Sequence, residues 1–364
     1  MRVICVGAAR PNFMKVKPVV DGLEAAGAET VVVHTGQHYD AVMSDVFFTE
    51  LGLRRPDHHL GAGSGTHAEQ TGRVMVAFES LLAEIGGDAV AVVGDVNSTL
   101  ACSIVGAKAG LRVAHVEAGL RSRDWSMPEE INRVVTDRVS DVLLCPSPDA
   151  VDNLVAEGFR DDQIHLVGNV MIDTLLANLE RAKATGIAAR LGVGDGPYGV
   201  VTLHRPANVD DPAMLRQLVG ALNEIAGELP LVFPAHPRTL PRLADAGVSD
   251  RVRVIEPLGY LDFCGLMAGA RLVLTDSGGI QEETTALGIA CLTLRDNTER
   301  PITLTEGTNQ LVGRTAAGIL AGARRALDGE ISARCPALWD GRAGDRIAAA
   351  IVGSAEQPKR PTDR

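Results

Sequence analysis

Short runs of Val, Ile, Leu and Ala recur along the chain, separated by longer segments whose apolar positions fall three and four residues apart. In the first half these runs are RVICVG, TVVVHTG, AVAVVGD, RVAHVE and DVLLCPS. A run that is apolar at almost every position suits a strand covered on both faces, and helices between such strands let neighbours lie parallel. A helical stretch near 170–190 and the glycine-rich GVGDGPYG interrupt this rhythm. It restarts with YGVVTLH, LPLVFPAH, VRVIEP, ARLVLTDSGG and ACLTLRD, interleaved with amphipathic segments such as PAMLRQLVGALNEIAG. The pattern predicts an α/β chain of two doubly wound domains, residues 1–170 and 190–341. With 364 residues, each half can bury its own core.

In doubly wound sheets, ligands bind outside the carboxyl ends of the strands, and with two such domains the interdomain cleft is the expected active site. The unusual polar residues of this chain collect at those ends. Arg10 follows the first run, Gln37 and His38 the second, Asp95 the third and Glu117 the fourth; in the second half His204, His236 and the stretch Asp276–Glu283 do the same.

Composition narrows the class. The net charge of −11 argues against a nucleic-acid partner, which needs a basic footprint. No apolar run approaches the length of a bilayer span, and MRVICVGAARPNF reads as strand and loop, unlike a signal peptide, so a cytoplasmic protein without membrane contact is expected. The six cysteines stand singly, without a CxxC pair, and read as reduced core residues; no metal is expected. The tail EQPKRPTDR reads as disordered.

Several motifs point to chemistry. GAGSG at 61–65 follows a polar stretch, not a strand, so it reads as a turn, with Thr66 and Glu69 as a capping box for the next helix. In TDSGGIQEETTALG, a strand opens through Ser277, Gly278 and Gly279 into a helix, where bare backbone N–H groups and the helix dipole favour a phosphate. Either Glu282 or Glu283 could accept both hydroxyls of a ribose. Arg10 is the best single candidate to hold a diphosphate, with Lys15 beside it; Lys17 reads as solvated. His38 and His115 are candidate satisfied core histidines, and His58-His59 a solvated pair in a polar loop. Asp95, Glu117 and Glu129 should reach one rim, and carboxylates held in different environments are the usual equipment for two-way proton transfer.

These residues fall into a known order. ARPNFMKVKP, TGQHYD, GDVNST, HVEAGLR with MPEEINR, HRPANVDDP and DSGGIQEE together closely resemble the UDP-N-acetylglucosamine 2-epimerases over nearly the whole chain. The resemblance implies two Rossmann-like domains in the glycosyltransferase-B arrangement, with a carboxyl-terminal helix, 342–354, completing the first. It implies a UDP-N-acetylhexosamine substrate, no redox cofactor and a homodimer. The activity implied is interconversion of UDP-GlcNAc and UDP-ManNAc without hydrolysis, with a hydrolysing epimerase and a glycosyltransferase as lesser alternatives. By position, Asp95, Glu117 and Glu129 become the essential carboxylates and His204 the essential histidine. Arg10, Lys15 and Arg133 meet diphosphate or sugar, His236 and Ser277-Gly278-Gly279 the phosphates, and Glu283 the ribose. Two departures stand out: where many members read HRxEN this chain has His204-Arg205-Pro206-Ala207-Asn208, lacking the glutamate, and Tyr39-Asp40 follow Gln37-His38. Both predict weak or absent activation by a second substrate molecule.

Overall fold

The structure, a computed structural model, describes residues 1–8, 10–36, 52–236 and 239–354, with the backbone alone for residues 10 and 11. Two compact units divide the chain, one made of residues 1–174 together with the segment from 337 onward, the other of 175–336. The expected disordered tail, 356–364, lies outside the described residues.

In the first unit seven strands form one parallel sheet: β1 (Arg2–Gly7), β2 (Glu29–His34), β3 (His58–His59), β4 (Ala89–Val93), β5 (Arg112–Val116), β6 (Val142–Cys145) and β7 (Ile164–Leu166), in the spatial order β3-β2-β1-β4-β5-β6-β7. Their pleat sends alternate residues to opposite faces, which is why the runs are apolar throughout. Val3, Cys5, Ala89, Ala91 and Val93 pack toward α1 (Arg10–Ala25) on one face. Ile4, Val6, Val90 and Val92 pack on the other toward α2 (His67–Ile85) and α3 (Asn97–Lys108). Helices α4 (Pro128–Val139), α5 (Pro148–Ala156) and α6 (Val170–Ala184) follow. The turn before α2 has the expected capping box, with Thr66 accepting from the Glu69 N–H and Glu69 accepting from that of Thr66.

The second unit repeats this plan with six parallel strands: β8 (Gly199–Thr202), β9 (Leu231–Pro234), β10 (Val252–Ile255), β11 (Leu272–Thr275), β12 (Ala290–Thr293) and β13 (Asn309–Leu311), ordered β10-β9-β8-β11-β12-β13. Its longer helices are α7 (Pro212–Ile225), α8 (Tyr260–Ala268), α9 (Gly278–Leu287) and α10 (Ala316–Leu327). Val201, Phe233, Leu274 and Leu292 meet Leu218, Leu222 and Ile319 in its core. The fold class is thus α/β, two Rossmann-like doubly wound units. In each, the strand order reverses once, between β1 and β4 and between β8 and β11, and the carboxyl ends splay apart there.

Two expectations need correction. His58 and His59 do not lie in a loop; they form β3 against Val33 and His34, with the His59 ring, itself exposed, stacked 5.4 Å from that of His34. Burial and then His59 lower the His34 imidazole to about 4, so it stays neutral, and its Nδ1 accepts from the Gly36 N–H at 2.7 Å. Five cysteines are buried, but Cys335 is exposed.

The last helix, α11 (Ala343–Gly353), packs on α1 of the first unit, with Ile347 and Ile351 among Val16, Val19 and Leu23. Asp173 caps it from α6, accepting from the N–H groups of Ala343 and Gly344 at 3.1 and 2.7 Å. The two helices meet backbone to backbone: a Cβ on Gly22 would sit 2.5 Å from the Gly344 carbonyl oxygen, and one on Gly344 would overlap the Pro18 carbonyl. Gly344→Val should therefore destabilise the protein by about 1–3 kcal/mol, the cost of overpacking. A urea denaturation series would register it as a lower midpoint with unchanged slope; an unaltered midpoint would contradict backbone contact.

Candidate active site

The rim of the first unit forms where β4 and β5 end beside α1. Gly94, directly after β4, has φ 71°, and a Cβ there would lie 3.5 Å from Glu117 Oε2 and 3.7 Å from Lys15 Nζ, so the chain turns within reach of both side chains. Glu117, directly after β5, also takes a left-handed backbone, φ 73°. For a residue with a side chain this costs about 1–3 kcal/mol and persists only where the surroundings enforce it. Here the N–H groups of Glu117 and Ala118 both donate to the Leu144 carbonyl of β6, at 3.1 and 3.2 Å. Lys15 Nζ donates to Glu117 Oε2 at 2.5 Å with both groups mostly enclosed. Glu117 Oε1 is buried and has no hydrogen-bond partner among the described residues. A buried carboxylate oxygen left bare is costly unless something outside the chain uses it.

Asp95 is the half-exposed member of the rim. Arg133 of α4 grips its Oδ2 from Nη2 and Nε at 2.5 and 3.2 Å, while Asn132 donates to its backbone carbonyl at 2.9 Å. Arg133 is held in turn by Glu130 at 2.5 Å. Burial alone would raise the Glu130 carboxyl; the N–H groups of Ser122 and Arg123, the Ser122 hydroxyl and Arg133 outweigh it and hold the group below the ordinary range. The adjacent glutamates thus divide their work by helical phase. Glu130 points inward as a fixed counter-charge, and Glu129, in the first turn of α4, is exposed.

The second unit has its own strand-end cluster at the β8/β11 reversal. Asp276, fully buried after β11, accepts from the backbone N–H of His204 and Arg205, from Asn208 Nδ2 at 3.0 Å and from His204 Nδ1 at 2.8 Å. Burial would raise this carboxyl, but His204 and the N–H donors more than offset it and lower it. Because Asp276 takes Nδ1, the His204 ring presents Nε2 outward, with 59% of the side chain exposed. Ser277, Gly278 and Gly279 then open α9. Its first turn rests on an ion network: Arg300 joins Glu282 and Glu299, at 2.9 and 2.5 Å, and Arg295 joins Glu299 at 2.8 Å. Glu283 is buried, its Oε1 lacks a partner among the described residues, and burial with neighbouring Glu282 raises its carboxyl to about 8.

The structure thus brings Lys15, Asp95, Glu117 and Arg133 together in the first unit, and His204, Ser277, Gly278 and Gly279 onto neighbouring strand ends in the second, with Glu283 buried within α9. His236 is exposed after β9. Gln37 and His38 lie outside the described residues, as does the Arg10 side chain, although the Arg10 backbone opens α1. The sequence reading missed Asp137 and the Arg295–Glu299–Arg300 set as supports. Nothing in their local sequence separates them from solvated helix charges. Asp276 did carry a signal, since it ends an apolar strand.

Fold, site and known relatives agree on an α/β enzyme of the isomerase class. A model of the UDP-N-acetylglucosamine 2-epimerase family matches residues 22–352, and the chain belongs to that family. It is 40% identical over 358 residues to the UDP-N-acetylglucosamine 2-epimerase of Methanocaldococcus jannaschii, covering 95% of this chain and 98% of that one. It is 42% identical over 353 residues to the UDP-2,3-diacetamido-2,3-dideoxy-D-glucuronate 2-epimerase of Pseudomonas aeruginosa, covering 96% and 98%. The crystal structure of the M. jannaschii enzyme in complex with UDP-GlcNAc and UDP matches with a TM-score of 0.88 at 39% identity, over 97% of this chain and 100% of that one.

Glu283 provides a test of the site's electrostatics. Its folded carboxyl titrates near 8 against an ordinary 4.5, so between these values the folded state binds a proton that the unfolded state has lost. This group's contribution to stability is therefore full at low pH and declines as pH rises through that window, by up to about 1.4 kcal/mol per pH unit. Glu283→Gln, which stays neutral, should exceed the wild type in stability at about pH 8, with the margin shrinking toward about pH 5; equal stabilities across that range would refute the assignment.

Proposed function

We propose that this chain interconverts UDP-N-acetylglucosamine and UDP-N-acetylmannosamine without net hydrolysis, by elimination and re-addition of UDP. The observation that most supports this reading is Glu117: a strained, buried carboxylate with one oxygen paired to Lys15 and the other without a partner among the described residues. In the intact sugar H2 is not next to a carbonyl and is barely acidic. Breaking the C1–O bond to UDP puts positive character on C1, and a carboxylate then takes the C2 proton while the C2–H electron pair becomes the C1=C2 bond of 2-acetamidoglucal. Delivery of a proton to C2 from the opposite face and attack of the UDP oxygen on C1 complete the inversion.

In this reading Asp95, Glu117 and Glu129 serve the C1–C2 end. Lys15 and Arg133 pair with Glu117 and Asp95 and, with Arg10, offset charge on the departing diphosphate. His204, oriented by Asp276, exchanges a proton through Nε2. Ser277, Gly278 and Gly279 meet phosphate oxygens, with His236 alongside, and Glu283 receives the ribose hydroxyls, which would satisfy its bare Oε1. Gln37 and His38 belong to the substrate-binding set by the resemblance alone. A homodimer working in the cytoplasm is part of the proposal.

The 42% identity to the P. aeruginosa enzyme favours a second reading, in which the hexose bears a 3-acetamido group and a C6 carboxylate. The C2 chemistry is the same for both. Turnover of each nucleotide sugar in deuterated water separates the cases. Deuterium at C2 of intact UDP-GlcNAc and UDP-ManNAc is the expected outcome; label in free N-acetylmannosamine means hydrolysis, and turnover of the diacetamido uronate alone means the second substrate. Asp95→Asn, Glu117→Gln and Glu129→Gln should each lower kcat by about 10²–10⁴-fold. Full activity in all three would remove the carboxylate mechanism.

A further inference from the structure

His115 takes no part in the mechanism above, yet it lies two residues before Glu117 and is completely buried. Its ring bridges two elements of the rim. Nε2 stands 2.8 Å from the carbonyl oxygen of Gly94, and Nδ1 stands 2.6 Å from Asp137 Oδ1 of α4. Both neighbours are acceptors. A backbone carbonyl has no proton to offer, and Asp137 is already committed as an anion, since its Oδ2 accepts from Arg121 Nη1 at 2.7 Å and from the Gly119 N–H at 3.1 Å. Burial would raise the Asp137 carboxyl, but His115 and Arg121 outweigh it and hold it below the ordinary range. A neutral imidazole has only one N–H and would leave one of these close contacts without a proton.

We infer that His115 is a buried imidazolium that acts as a positioning residue, tying α4 to the turn after β4 and so holding Asp95 and Glu117 at their working separation. The charge is balanced locally. His115 and Arg121 supply two cations, and Asp137 and Glu157 two anions, with Arg121 bridging to Glu157 through Nε and Nη2 at 2.8 and 2.7 Å. These groups face the ring's partners from α4, from the turn after β5 and from the end of α5. The other titratable groups acting on the cluster are Cys145 of β6, whose thiol burial and Asp137 push well up, and Asp149 of α5, whose carboxyl burial raises. Charged groups this deep cost more to bury than their attraction returns unless every partner is present, so the array fixes a geometry more than it adds stability.

The clamp reaches the chemistry through backbone. The Gly94 carbonyl belongs to the residue between β4 and Asp95, and its N–H donates to the Val116 carbonyl next to Glu117 at 3.1 Å. A shift of Gly94 would move both carboxylates. On the other side Asn132 and Arg133, on the same helix as Asp137, hold Asp95. The His115–Asp137 bond thus closes a loop whose second join is Arg133–Asp95.

The kinetic half of this inference rests on the proposed epimerisation; the charge state does not. Full-length protein labelled with ¹⁵N-histidine should give one imidazole, missing from the His115→Gln spectrum, with protons on both ring nitrogens at neutral pH. A ring with one protonated nitrogen at neutral pH would overturn the assignment, whatever reaction the protein catalyses. His115→Gln and Asp137→Asn should each lower kcat at least about tenfold, while KM and the calorimetric affinity for UDP change by less than about twofold. Unchanged kcat, or a parallel loss of UDP binding, would instead mark the residue as general scaffolding. Should His115→Gln fail to fold, Asp137→Asn supplies the kinetic test and marks the His115 resonance by the shift it causes.

Discussion

An ionised carboxylate at the end of a buried strand survives only opposite a fixed cation or a fan of N–H donors, and the arrangement of this protein's strand ends follows from that requirement. Glu117 has Lys15, Asp95 has Arg133, and Asp276 has four donors around it. In a medium poorer in water than the surface, each pairing offsets part of the cost of burying its group and fixes where that group sits. The exceptions are informative. Glu117 Oε1 and Glu283 Oε1 are both buried and both lack a partner among the described residues, and both lie where a ligand is proposed to bind.

The same topology serves two kinds of work. At the reversal of strand order in the first unit, helix α1 brings a lysine to a carboxylate that reached the rim on a different strand. At the corresponding reversal in the second unit, an aspartate after β11 orients a histidine after β8. Neither pair is close in sequence. Each is produced by crossovers that lay parallel strands side by side in an order unlike that of the chain. Strain collects at the same place, with Glu117 left-handed where β5 ends and Gly94 supplying the left-handed turn after β4 without cost to a side chain.

The supports behind the rim are ionic, and they are the least visible part of the sequence. Glu129 and Glu130 are neighbours of identical type, and only the phase of α4 exposes one and turns the other onto Arg133. Asp137 lies a further turn or two along the same helix, in a stretch that reads as solvated. It is buried because His115 and Arg121 come from another part of the chain to meet it. The short edge strands β3, β7 and β13 escaped notice for a related reason. Two or three residues long and partly polar, they are strands because a longer neighbour offers its edge.

The amino-acid sequence alone determined the alternation of strands and helices, the parallel sheets and the collection of acids, bases and glycines at strand ends. These are local properties: apolar runs fit a pleat covered on both faces, and turn residues punctuate them. The six ordered motifs were enough to reveal the family. Only the tertiary structure decided which of two adjacent glutamates faces inward, that the His115 ring lies between an aspartate and a carbonyl, that α11 meets α1 through glycines, and that Glu117 stands strained, paired through one oxygen to Lys15. Each of these depends on groups far apart in the chain being brought within hydrogen-bonding distance, and no local pattern of residues encodes such a distance.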